Sequence, residues 1–230
     1  PSLESAWQKG IEQLLNVMKA NGIKGRWLRV DWVDVAEATT WSRLKALLDQ
    51  VKRNYFRFGI ALDTDLRFTF TEQELNANAM LYGGNTIDHA VLNEKNFSLY
   101  ARTRYHVLPE LRFADDQSVY LFQTKGIFCD EAGRLHQLDG TGLQTGRRRI
   151  EKIDGGIALS LIRDSSTYLA GQVKPDGSFV YGYHACFDRR IDAYNALRHA
   201  STTYAMIEAW EVTRDPKLKD AIDHALTYLA

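Results

Sequence analysis

Two stretches decide the fold of this 230-residue chain: IRDSSTYLA at residues 162–170 and IDHALTYLA at residues 222–230. Thr-Tyr-Leu-Ala returns sixty residues later with an isoleucine in register upstream. Both copies fall near the C-terminal end of an expected helix, and the chain between them supplies one turn, one helix and a second turn. That is the spacing of a helical hairpin unit, which buries its apolar face only when a neighbour stacks on it. The first of these helices is expected over residues 150–171 and the second from about residue 191 to 213. The third opens at Pro216, a residue suited to a first helical turn.

Upstream the pattern changes. Ser5 and Gln8 form a capping box ahead of Trp7, Ile11, Leu14, Leu15 and Met18 at helical spacing, and Gly22 stops the run. A strand over residues 26–33, a helix carrying Leu44, Leu47, Leu48 and Val51, and a strand over residues 55–62 follow. Thr71 and Glu74 make a second capping box before a helix closed by Gly83 and Gly84, and a further helix is expected over residues 93–105. Short strands are expected at 118–123 and 127–138, with turns at Lys125-Gly126 and at 130–133. The glycine-spaced stretch 140–146 then marks a boundary. The expected fold is an α+β domain over residues 1–140 followed by an all-α helical-hairpin domain over 141–230.

Composition narrows the function classes. With 45% apolar and 25% charged residues the chain is ordinary globular material, and its 29 basic residues balance its 29 acidic ones. No overall field draws it to nucleic acid or to an anionic membrane. No apolar run is long enough to span a bilayer, so neither a span nor an uncleaved signal peptide is expected within these residues. It begins at Pro1, as a processed or trimmed product would. Two cysteines, Cys129 and Cys186, are too few for a disulfide framework and lack metal-type pairing, so no metal or cofactor is expected. A reducing cytoplasm is the default compartment, with a processed envelope protein as the alternative.

The segment from residue 174 to 199 concentrates the chemistry. Lys174-Pro175-Asp176-Gly177 is turn chemistry, or a loop that aims Asp176 at a ligand. Residues 179–190, FVYGYHACFDRR, combine aromatic rings with paired charges. Aromatic faces stack on sugar rings while Asp and Arg fix hydroxyls or carboxylates, which suits a glycan or another polar ring system. The plain alternative is a loop plugged into the core by its rings. His184, Cys186 and Asp188 share one side of an extended segment, yet their spacing is not that of zinc ligands, and a buried structural Cys186 is the simpler reading. His199, beside Arg198 at the start of the second long helix, is either a general acid or base or a hydrogen-bonded interfacial residue. Arg147-Arg148-Arg149 after the glycines is either an anion cradle or a solvated charge run behind a linker.

Three motifs carry a resemblance: PDGSFVY at 175–181, YNALRHAST at 194–202 and EVTRDPK at 211–217. Together they resemble the (α/α) toroid families, the six-hairpin glycosidases and their relatives among polysaccharide lyases and uronic acid epimerases. The likeness covers the last third of the chain. It implies a carbohydrate-active enzyme domain, a hydrolase, lyase or epimerase, with Asp176, Asp188 and His199 as acid or base candidates. Tyr181, Tyr183 and Tyr194 would form a stacking platform, and Arg190, Asn195 and Arg198 would hold a carboxylate or hydroxyls. A toroid of six such hairpins needs about 360 residues, so the expectation is a truncated array. The competing expectation is a non-catalytic binding or scaffolding module. Its exposed terminal helices would dock onto missing repeats, another copy or a partner.

Overall fold

The computed structural model describes residues 2–106, 110–184 and 189–230. The chain is a mixed α and β protein that divides into two compact units. One comprises Pro1–Asn76, Leu81–Asn93 and Pro109–Arg149, the other Ala77–Met80, Glu94–Leu108 and Ile150–Ala230.

The first unit is built on an antiparallel sheet. Helix α1 (Leu3–Ala20) is capped by Ser2, whose hydroxyl accepts from the Ser5 N–H, three residues ahead of the Ser5 expected to open it. Strand β1 (Leu28–Thr40) runs into α2 (Trp41–Leu48), capped by Thr40. Short strands β2 (Gly59–Ala61) and β3 (Thr69–Phe70) lead to α3 (Glu72–Ala77), and β4 (Ser118–Cys129) and β5 (Leu135–Leu138) complete the sheet in the order β1-β4-β2-β3, with β5 also on β4. Trp41, Leu44, Leu48, Phe56, Ile60, Phe70, Leu75, Val119 and Phe122 form its interior.

The expected turn at Lys125-Gly126 is not made: β4 passes straight through, with Gly126 paired to Asp31 of β1. The glycine serves close approach. A Cβ there would stand 2.7 Å from the Val30 carbonyl oxygen and 2.8 Å from Asp31 Oδ1, inside contact distance. The hairpin turn lies further on, where Asp130 accepts from the N–H groups of Ala132 and Arg134.

The Thr71–Glu74 capping box does form, with Glu74 donating its N–H to the Thr71 hydroxyl and accepting from the Thr71 N–H. The helix it opens is nonetheless only α3, six residues long, instead of reaching Gly83. Ala79 lies at φ 51, a left-handed value that no helix continues through. The expected strand at 55–62 shrinks to β2.

Asp130 is the best-connected carboxylate of the hairpin. Its side chain bonds His136 Nε2 at 3.0 Å and Arg134 Nε at 2.7 Å, and the His136 bond, followed by the Arg134 backbone N–H, holds it well below its ordinary value of 3.8. A depressed folded-state value adds stability above pH 3.8 that is lost as pH falls from there. Asp130→Asn is therefore expected to lower stability at neutral pH and to flatten its decline on acidification. Urea unfolding at pH 7 and pH 3 checks this, and an unchanged acid slope would contradict it.

The 140–149 stretch is a loop closed by its own backbone hydrogen bonds. The N–H groups of Gly140, Gln144, Thr145 and Arg147 bond to the Arg147, Thr141, Gly142 and Gln144 carbonyls, leaving those amides engaged within the loop. Arg147 turns inward and grips Glu72 through Nη2 at 2.9 Å and Nη1 at 3.1 Å. Arg57 approaches the same carboxylate at 3.1 Å and also donates to the Asn54 and Leu143 carbonyls.

The second unit contains α4 (Glu94–Arg104), α5 (Gly155–Ala170), the two-residue strands β6 (Tyr183–His184) and β7 (Arg189–Arg190), α6 (Ala196–Thr213) and α7 (Pro216–Leu229). Helices α5, α6 and α7 pack on one another around Phe179, Met206, Leu218, Ile222 and Ala225. Both long helices begin later than apolar periodicity implies. Asp154 and Asn195 take the cap positions, accepting from the Ile157 and Arg198 N–H groups, and the residues before each cap are excluded from the helix. Arg214 ends α6 at φ 53 with its guanidinium 4.5 Å from the Trp210 ring.

Candidate functional site

The connection from α5 to α6 is where the second unit places its polar rings. After α5 the chain makes a tight reversal in which Lys174 N–H donates to the Ser178 carbonyl and Gly177 N–H to the Lys174 carbonyl. Asp176 Oδ1 accepts from the Ser178 hydroxyl at 2.7 Å and the Ser178 N–H at 2.9 Å, and these two bonds lower its pKa. Gly177 adopts φ 83 and lies against α7: a Cβ would stand 2.9 Å from the Tyr228 Cβ and overlap the His224 carbonyl oxygen. The turn is thereby fixed on α7, and Asp176 is the residue that closes it.

From that turn a chain of hydrogen bonds crosses the unit. Phe179 N–H donates to Tyr194 Oη at 2.8 Å. The Tyr194 hydroxyl meets His199 Nδ1 at 2.7 Å, and His199 Nε2 meets the Ala225 carbonyl at 2.9 Å. The carbonyl can only accept, so Nε2 carries the proton and Nδ1 receives the one from Tyr194. His199 is only 3% exposed. It is flanked by Phe179 edge-on at 4.8 Å and by Tyr228 stacked at 5.2 Å. Both ring nitrogens are hydrogen-bonded within the protein, Nδ1 to Tyr194 and Nε2 to the Ala225 carbonyl.

Two concavities flank this connection and share Phe179, Val180, Tyr181 and Tyr194. One, about 240 Å³, adds Lys174, Arg190 and Asp192; the other, about 200 Å³, adds Tyr168, Gln172, Arg198 and the His199 edge. Each falls below the roughly 300–1,000 Å³ typical of drug-sized sites, so each has room for about one ring. Tyr181 and Tyr194 stand 5.8 Å apart at 46°, and the Arg198 guanidinium lies 5.5 Å over the Tyr181 ring. Stacking holds that guanidinium in place while leaving its edge available to an acceptor. Among the described residues no carboxylate pairs with Arg190 or Arg198, so the cationic groups outnumber the acidic one, Asp192, around the two hollows.

Of the residues singled out from sequence, Tyr181, Arg190, Tyr194, Asn195, Arg198 and His199 line these hollows. Asn195 does so while its side chain caps α6. Asp176 and Tyr183 line neither; Tyr183 is exposed on β6, paired in register with Arg190 on β7. Asp188 and Cys186 lie outside the described residues, as does the proposed grouping with His184. Among the described residues no cluster of three His, Cys, Asp or Glu stands close enough to hold a metal ion, and no helix is long and apolar enough to cross a membrane.

Sequence reasoning did not single out Tyr228, Tyr168 and Lys174 as part of this site. The signal was present in the repeat itself, whose two tyrosines are Tyr168, at the rim of the smaller hollow, and Tyr228, stacked on His199. No family model, curated protein or solved structure matches the chain.

Proposed function

We propose that the second unit is a carbohydrate-binding element of the helical-hairpin type, belonging to a protein that acts on a polysaccharide or uronic-acid-containing glycan. The observation that carries this reading is the convergence of Tyr181, Tyr194 and Arg198 on hollows the size of a single ring. The tyrosine faces suit the apolar face of a sugar, and Arg198 and Arg190 suit its carboxylate or hydroxyls. The likeness of residues 175–181, 194–202 and 211–217 to (α/α) toroid enzymes supports the same substrate class.

Between a catalytic domain and a binding module, two details favour binding. Asp176 is spent on its own turn and His199 on the Tyr194–Ala225 relay. Glycoside hydrolysis calls for two carboxyl groups about 5–10 Å apart across a cleft, and the described residues offer only Asp192 at the hollows. Hydrolase, lyase or epimerase chemistry would draw on Asp188, or on residues supplied by further repeats.

Calorimetric titration with neutral and uronate-bearing oligosaccharides tests the reading. Tyr181→Ala removes a stacking face and the ring beneath Arg198, which together are worth on the order of 1–2 kcal/mol, so affinity is expected to fall about tenfold. Failure of every glycan to bind the intact chain would remove the proposal.

A further inference from the structure

The first unit carries an apolar groove that its own residues leave open. It lies between α1 and the sheet, has a volume of about 810 Å³, and is walled by Trp7, Ile11 and Leu14 of α1, by Val30 and Trp32 of β1, and by Ile127 of β4. The apolar arc of α1 is wider than the groove. At 100° per residue it runs roughly 160° from Val17 through Leu14, Trp7 and Ile11 to Leu15. Its two flanks are left in solvent, Leu15 at 58% and Val17 at 53% exposure. Neither flanking residue lines the groove, so a small apolar ligand seated there would leave both uncovered.

We infer that this face is the contact between two copies of the chain, with α1 of one protomer lying antiparallel to α1 of its partner about a twofold axis near Ile11. Charge decides the occupant. Near the groove the charges pair within the chain: Arg26 with Glu131 at 2.6 Å, Arg29 with Asp31 at 2.8 Å, Lys125 with Asp34 at 3.0 Å. Those paired charges offer nothing to an anionic lipid headgroup or a nucleic acid. The charges at the two ends of α1 are arranged for self-pairing, acidic Glu4 in the first turn and basic Lys19 in the last. In an antiparallel pair Glu4 comes opposite the partner's Lys19, and the helix dipoles oppose one another. Each α1 then covers the groove of the other copy, and Leu15 comes opposite the partner's Trp7.

The sheet edge is not the contact. Strand β1 pairs with β4 on one side and, among the described residues, with no strand on the other. That edge carries Asp31 and Glu37 and is bulged at Asp34, devices that oppose edge-to-edge pairing.

Sedimentation equilibrium of the full chain and of the Leu15→Glu, Val17→Glu double variant tests the inference. Both substituted positions are exposed, and circular dichroism verifies that the variant keeps its fold. The chain is expected to be a dimer, and the double variant is expected to dissociate at least tenfold more readily. Glu4→Lys and Lys19→Glu should each weaken the dimer, and the two together should restore it, which a parallel arrangement would not do. A chain monomeric at every concentration, a double variant that dimerises like the parent, or a monomer that takes up a fatty-acid probe in the groove would each overturn it.

Discussion

Glu72→Ala is expected to cost the first unit about 3 kcal/mol or more, the penalty for stranding buried charge. The Glu72 side chain is 10% exposed and that of Arg57 is 12% exposed. Removing the carboxylate leaves Arg57 facing the interior and frees Arg147 from its anchor. The loss reaches well beyond one ion pair. Arg57 also ties the Asn54 and Leu143 carbonyls, and Arg147 closes the 140–147 loop through its bonds with Gly140 and Gln144. Glu72→Gln keeps the shape and part of the hydrogen bonding, so its loss should be smaller. Urea unfolding followed at the tryptophans of that unit measures both, and equal stability of Glu72→Ala and the parent chain would show that the cluster is solvated.

Gly177→Val is expected to destabilise the second unit by about 3 kcal/mol, because left-handed strain at a β-branched residue adds to overlap with a neighbouring helix. Its φ of 83 and the His224 carbonyl leave no direction for a side chain. To admit one, the turn must lift from α7, drawing Phe179 out of the core and breaking its bond to Tyr194. Trp210 packs against that core and reports the change. An unchanged Trp210 emission and unfolding midpoint would contradict the described packing of the turn on α7.

Much of this architecture can be read from local chemistry. The helix of residues 41–48, the Thr71–Glu74 box and Pro216 at the start of α7 follow from capping and periodicity. What periodicity misses is set at a distance. Gly126 looks like a turn residue until Asp31, far away in sequence, is laid beside it. Ala79 ends a helical pattern through backbone conformation that no side-chain pattern announces.

The site divides in the same way. Residue type brings Tyr181, Tyr194 and Arg198 forward, and the fold does gather them. The roles of Asp176 and His199 depend on partners that sequence cannot place: Ser178 two residues on for one, and the Ala225 carbonyl on another helix for the other. A carboxylate and an imidazole that suit catalysis by type are occupied here in holding a loop to two helices. The polar rings left at the surface are the ones available to a ligand.

The most direct test is to follow backbone amide chemical shifts of the chain as uronate-bearing and neutral oligosaccharides are added. The account predicts shifts centred on residues 180–182 and 194–199, larger for the uronate and abolished together by Arg198→Ala. Shifts confined to other parts of the chain, or none with any glycan, would contradict it.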